Sequence, residues 1–276
     1  MEPYINQSRK VATIGTRIMN LNLKIRLAQI VGHIGSLAAL WYVIQTGQYY
    51  LLLITLIVWF FVGPVSQVLT LHRLLTHRSF KVSKWMESVL SLISVISTVG
   101  PTMSWVSTHR IHHAKTDTEE DPHSPNVNGK FSIMRGFQIW IGYGWKMHKL
   151  TPFLVKDLIR HPIHKFIFDN YFKIIFAYLL LLTAIDPVLI LFAYSLPMSC
   201  TVLLVGIVNV LGHVHGYRTY KTRDLSTNSW FANIFSMGDG WHNNHHANPQ
   251  NYRAGEQWWE WDLMARLIDV IRTDFR

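Results

Sequence analysis

Two stretches without a single Lys, Arg, Asp or Glu constrain this chain more than anything else in it: residues 27–46 (LAQIVGHIGSLAALWYVIQT) and residues 49–71 (YYLLLITLIVWFFVGPVSQVLTL). As helices rising 1.5 Å per residue, each reaches roughly 30 Å, the thickness of a bilayer's hydrocarbon core. The two-residue connection between them, Gly47-Gln48, makes them a tight helical hairpin. A second apolar region runs from Ile174 to Val208 with Asp186 as its only charge. One helix of that length would overshoot a membrane, so the chain must fold back, and Asp186-Pro187 supplies the break because Pro187 cannot continue a helix. Spans over residues 168–185 and 187–210 follow. Residues 89–103 (VLSLISVISTVGPTM) are too short and too rich in Ser and Thr for a full crossing and carry a Gly-Pro break. They read as an interfacial or re-entrant segment.

The expected fold is an all-α integral membrane protein of four transmembrane helices in two hairpins, bearing a helical cap. Four crossings place both termini, residues 72–167 and the tail from 211 onward on one side. The 26 Lys and Arg residues then lie on that side or at its membrane edge, which the positive-inside rule makes cytoplasmic. The net charge of +10 is thereby explained by topology and anionic headgroups, and no nucleic-acid partner is expected. The N-terminus shows no short apolar core followed by a small-residue cleavage site, so no removable signal peptide is expected. With one cysteine, Cys200, neither a disulfide framework nor a Cys-rich metal site can form within one chain.

Metal chemistry must therefore use histidine. The 15 His residues are clustered: His72 and His77 in HRLLTH, His109, His112 and His113 in HRIHH, and His242, His245 and His246 in HNNHH. At this His content an HxxHH is expected by chance about 0.04 times per chain, so two are not accidental. On a helix, positions i, i+3 and i+4 share one face, so each HxxHH can aim three imidazoles at a common point. His72 and His77, about 140° apart on an ideal α-helix, would converge only at a helix end or on two different metals. Asn209 and His213 add an amide and a ninth imidazole at the end of the fourth span. That is more than one ion can use, so two metals are implied. Imidazole alone does not choose among iron, copper, zinc and nickel. His33, His123, His148, His161, His164 and His215 are isolated and read as core, headgroup-facing or outer-sphere residues.

The stretches HRLLTHRSF (72–80), WVSTHRIHHAKTDTEEDPHSP (105–125), NVLGH (209–213), GYRTY (216–220), GDGWHNNHHANP (238–249) and WWEWD (258–262) resemble the membrane fatty-acid desaturases, specifically the Δ9 acyl-CoA and acyl-lipid branch. The third cluster begins with His rather than Gln, unlike front-end desaturases. The resemblance covers most of the chain and implies a dioxygen-dependent enzyme that inserts a cis double bond, most often at Δ9, into a saturated long-chain acyl group. It implies two iron ions held by His72, His77, His109, His112, His113, His213, His242, His245 and His246, with Asn209 acting through water. No fused cytochrome b5 domain fits in this length, so the electron donor is expected to be a separate protein of ferredoxin or cytochrome b5 type.

Neutral imidazoles leave such a centre highly cationic, so nearby carboxylates should accept their ring N–H groups. Asp117, Glu120, Asp121, Asp239 and Glu256 are the candidates. A saturated chain offers no polar handle, so the target carbon can be selected only by depth in a closed apolar tunnel. Leu56, Phe60, Gly63 and Trp105 are candidates to line it. Arg73, Arg110, Arg218 and Lys221 could hold the phosphate of a coenzyme A or lipid head group. The C-terminal EQWWEWDLMARLIDVIR reads as an amphipathic helix for packing or interfacial anchoring. The same ligand set would serve a hydroxylase or alkane monooxygenase, and a metal transporter is the alternative outside enzymes. A transporter needs His along a path through the bilayer, where only His33 is clearly placed.

Overall fold

The computed structural model describes residues 2–127, 129–140 and 150–274, with 2–20 described by backbone alone. Helix α1 (Glu2–Thr46) enters the membrane and ends at Gly47, whose left-handed φ of 70° turns the chain into α2 (Leu51–Phe60). From there the helix continues without a break as a π-helical segment, Phe61–Thr76. Helices α3 (Lys84–Ile96) and α4 (Thr102–Lys115) follow, then a two-strand ribbon of β1 (Asn126–Val127) and antiparallel β2 (Lys130–Phe131), and α5 (Ile133–Trp140). Short α6 (Lys156–Ile159) leads into α7 (Pro162–Ile185); beyond Asp186-Pro187 a π-helical turn, Ile190–Ser195, runs into α8 (Leu196–Leu211). The cap closes with α9 (Trp230–Ser236), α10 (His242–Ala247) and α11 (Leu263–Ile271).

Among the described residues, four helical stretches are long and apolar enough to cross a membrane: Leu21–Thr46, Leu51–Thr76, Pro162–Ile185 and Ile190–Leu211. They correspond to the four expected spans with shifted ends: the first and third begin earlier, at residues 21 and 162, and the second and fourth begin later, at 51 and 190. The second extends past residue 71 to Thr76, because the segment that leaves the lipid stays helical and carries the first two histidines with it. The apolar surface outside the bundle (Leu37, Leu53, Phe176 and Leu181 are each more than half exposed) is what lipid covers. Residues 89–103 contain the end of α3, the break and the start of α4. Thr98 and Gly100 take positive φ, Pro101 precedes the first turn of α4, and Ser94, Ser97 and Thr98 are buried. Gln29 in α1 donates to the Thr98 carbonyl, and the Tyr171 hydroxyl accepts from the Gly100 amide, so this polar turn is tied to the bundle on two sides.

The main core lies where the second span meets the cap: Val68, Leu71, Leu75, Phe80, Val106, Met198, Val202, Met264 and Ile268 are buried together. The C-terminal helix is shorter than the sequence suggests: α11 covers Leu263–Ile271 and buries Met264, Ala265 and Ile268, while residues 256–262 are not helical and Trp258 lies 91% exposed.

Candidate metal centre

The π-helical segment decides where the first histidines point. In Phe61–Thr76 the hydroxyls of Ser66, Thr70 and Thr76 donate to carbonyls five residues back, and the amide of His77 donates to the His72 carbonyl at 3.1 Å. An i→i−5 pattern makes five residues about one turn. His72 and His77 are therefore neighbours on one face, their ring centroids 4.8 Å apart, instead of 140° apart. The pair converges at a helix end, one of the two alternatives the sequence leaves open, with His77 capping the segment.

The two HxxHH motifs sit on α4 and at the start of α10. Each splits its ligands rather than aiming all three at one point. The i and i+4 members stay together and the i+3 member, about 100° from i+4, turns to the other side. His109 and His113 join His72, His77 and His245 in one group; His242 and His246 join His112 and His213 in a second. Within each group the candidate ligand atoms lie within 4.8 Å of one another. The half-buried His113 and His246 stack at 4.5 Å and link the two.

Carboxylates fix which nitrogen faces inward. Nδ1 of His72 lies 2.6 Å from Asp239, that of His112 3.0 Å from Asp121, that of His213 3.2 Å from Asp117, and that of His246 2.9 Å from Asp224. A carboxylate only accepts, so each Nδ1 carries the proton and each Nε2 presents a lone pair to its group. Burial pushes up the carboxyls of Asp117, Asp121, Asp224 and Asp239, but the histidine partners outweigh it, leaving Asp117 at about 2 and the other three below their ordinary range. Burial, reinforced by neighbouring imidazoles, holds His109, His113, His242 and His245 well below the usual histidine range, and His246 at about 4 despite Asp224. These five rings are neutral and can offer a lone pair to a metal.

Their spacing suits an ion. The Nε2 atoms of His72 and His245 are 2.9 Å apart, those of His109 and His113 3.1 Å, and those of His213 and His246 each 3.1 Å from that of His242. Nitrogens bound to a metal at about 2.1 Å stand about 3.0 Å apart at right angles and about 3.4 Å at tetrahedral angles. Hydrogen bonds cannot account for all of these contacts, since the Nε2 of His242 meets two lone-pair atoms and has at most one proton. Nε2 of His77 and of His112 are buried with no hydrogen-bond partner. Two ions fit these two groups.

One carboxylate role escaped the sequence reading. Asp224, in the loop before α9, gave no local signal because its partner His246 is 22 residues away. His123, read as a core, headgroup-facing or outer-sphere residue, is buried, stacks against His109 at 5.4 Å and lies 4.3 Å from the His112 ring. Asp117 takes a left-handed φ of 62° just after α4, and its carboxylate gathers Ser124, Asn126, the Leu225 amide and His213. Gly238 is required beside Asp239: at φ +156° it lies so close to Arg73 and Asp262 that a Cβ would sit 2.5 Å and 2.3 Å from them.

Other expectations need correcting. Glu120 is exposed and pairs with Lys115, and Glu256 accepts from the Tyr220 hydroxyl, so neither reaches an imidazole. Arg73 is buried between Asp239 and Asp262. Arg110 donates to the carbonyls of Leu75, Thr76 and Leu154 and to Asp157. Both arginines hold the cap together and are not available to a head group; Arg218 and Lys221 are exposed. Beside the histidines lies a cavity of about 30 Å³ lined by Gln67, Val68, His72, Trp105, Val205 and Asn209, among others. Trp105 stacks on His109 at 4.9 Å. Of the four tunnel candidates only Trp105 lines this cavity: Leu56 faces outward at 57% exposure, Phe60 packs on the core, and Gly63 lies under the Trp59 indole. Wide turns from Phe61 onward shift the phase of the helix, so the face below His72 is not the one α-helical counting selects. His148 lies outside the described residues. His33 meets the Ser199 hydroxyl at 2.8 Å within the bundle.

Membrane-length helices carrying a cap of clustered, carboxylate-backed imidazoles define a class of membrane protein whose cap fits a metal centre. Residues 22–269 match the fatty acid desaturase family, and the chain belongs to that family. It is 34% identical over 87% of its length to an sn-1 stearoyl-lipid 9-desaturase of Anabaena variabilis, covering 86% of that protein. It is 35% identical over 76% of its length to the Delta-9 acyl-lipid desaturase 1 of Arabidopsis thaliana, covering 70%. A chloroplastic palmitoyl-monogalactosyldiacylglycerol delta-7 desaturase of the same plant is 32% identical over 76% of the chain and 57% of that protein. The chain is thus an oxidoreductase that desaturates fatty acyl groups, and its His clusters fit a metal centre.

Proposed function

We propose that the whole chain, residues 1–276, is one desaturase unit that inserts a cis double bond, at Δ9, into the saturated long chain of an acyl-lipid. The observation that carries this reading is the sorting of nine imidazoles into two groups beside a cavity at the end of the second span, in a chain whose relatives include acyl-lipid 9-desaturases. His72, His77, His109, His113 and His245 hold one iron; His112, His213, His242 and His246 hold the other, with Asn209 acting through water. Bound iron supplies the activation of dioxygen needed to remove hydrogen from an unactivated methylene. In balance, two adjacent methylenes, dioxygen, two electrons and two protons give a cis alkene and two waters.

The protein's own groups do the rest. Asp117, Asp121, Asp224 and Asp239 keep the Nδ1 proton in place on their histidines, fixing ring orientation and offsetting the positive charge of the centre. Trp105, Val68 and Val205 give the acyl chain an apolar wall against the imidazoles, so depth of insertion selects the carbon that reacts. Arg218 and Lys221 offer exposed cations for a phosphate-bearing head group. The active site and both termini face the cytoplasm, and electrons come from a separate carrier of ferredoxin or cytochrome b5 type. Supplying the purified, reduced enzyme with matched acyl-lipid and acyl-CoA tests the carrier: conversion of the acyl-lipid alone is expected, and conversion of acyl-CoA alone would overturn that assignment.

A further inference from the structure

Gln67 lies five residues before His72, one π-turn membrane-ward on the face that carries His72 and His77. It is 4% exposed and lines the cavity beside the histidines, yet both its Oε1 and its Nε2 are buried without a hydrogen-bond partner. A carboxamide in a membrane-spanning segment is costly to leave unsatisfied. The neighbouring polar groups do not relieve it: Asp239 is engaged by His72 and Arg73, and the Nδ2 of Asn209 donates to the Val205 carbonyl. A saturated hydrocarbon chain, which the proposed function puts here, offers neither a donor nor an acceptor. A cavity of about 30 Å³ accommodates about one or two water molecules.

We propose that Gln67 anchors a binding site for a single O–H group inside the acyl cavity, its Nε2 donating to the oxygen and its Oε1 accepting the proton. Asn209, whose amide nitrogen is committed, lines the same cavity and supplies a further acceptor. The O–H comes either from a bound water or from a hydroxyl carried by the acyl chain. In both cases Gln67 is a specificity-determining residue, because a saturated chain must displace or pack against what it holds. The inference rests on the desaturase reading of the cavity.

The test compares metal-loaded wild-type protein in nanodiscs with the Gln67→Leu and Gln67→Met variants, which keep volume and remove hydrogen bonding. Competition binding is measured for a saturated long-chain acyl-lipid and for the same chain with one hydroxyl at successive mid-chain carbons. Metal content shows that each protein is intact, and Gln67→Met stands in should Gln67→Leu lose metal. A hydroxyl at one position that tightens binding about tenfold in wild type, and in neither variant, assigns the site to the acyl chain. Saturated chain that binds the variants five- to tenfold more tightly than wild type, with no hydroxyl position favoured, assigns it to water. Binding within twofold for every chain and every protein overturns the proposal while leaving the desaturase reading intact; no acyl binding to any of the three proteins removes both.

Discussion

At the scale of single residues, the orientation of His72, His112, His213 and His246 is set by the carboxylate that holds each Nδ1. Asp224 sits 2.9 Å from Nδ1 of His246, so Asp224→Asn should weaken metal retention about 10–100-fold without preventing membrane insertion; metal content under a graded chelator checks this, and unchanged retention would remove Asp224 from the centre. His112→Ala or His245→Ala should abolish double-bond formation in a protein that still inserts and folds, as seen by product analysis beside size-exclusion chromatography. Trp105→Phe should change the preferred chain or bond position before it changes metal content, because the indole both lines the cavity and stacks on His109; an unaltered product spectrum would place it outside the substrate's path. Six candidate ligands were legible in the sequence because HxxHH is a local pattern; His72, His77 and His213 came from the family resemblance of HRLLTH and NVLGH. Asp224 was not legible, because its partner His246 is 22 residues away and it occupies no helical offset from a ligand. Nor could local pattern show that Arg73 and Arg110 are consumed by internal carboxylates and carbonyls.

Among the elements, spans and break points were readable from charge-free runs and from Asp186-Pro187, since lipid leaves an unpaired backbone little choice but a helix. The π-helical turns were not, because hydrophobicity does not distinguish i→i−4 from i→i−5 bonding, so α-helical counting does not pick out Gln67 and Val68, which line the cavity beside His72. The cap is joined to the second span partly by Asp157, which pairs with Arg78 at 2.9 Å and with Arg110 at 2.9 Å. Partial burial pushes the Asp157 carboxyl up, but bonds and charge from the two arginines prevail and hold it below its ordinary range. A depressed folded value means stability that is present above the unfolded value of about 3.9 and lost as pH falls below it. Asp157→Asn should therefore unfold at a lower temperature than wild type at neutral pH, with the gap closing below about pH 4. A gap that stays constant across that range would contradict the ion-pair assignment.

For the whole molecule, nine buried or half-buried imidazoles make the cap dependent on what binds them. Stripping the metal should lower the unfolding temperature by several degrees and restoring it should reverse the change, while metal-independent unfolding would argue against a bound centre. The most direct test of the central claim is expression in a host with little desaturation of its own, with an electron carrier supplied, followed by mass spectrometry of the fatty-acid esters after derivatisation to locate the double bond. A new cis monoene at the ninth carbon, absent from the His112→Ala and His245→Ala variants, is the predicted result; hydroxylated chains, or an unchanged lipid profile from metal-loaded protein with its carrier present, would contradict it.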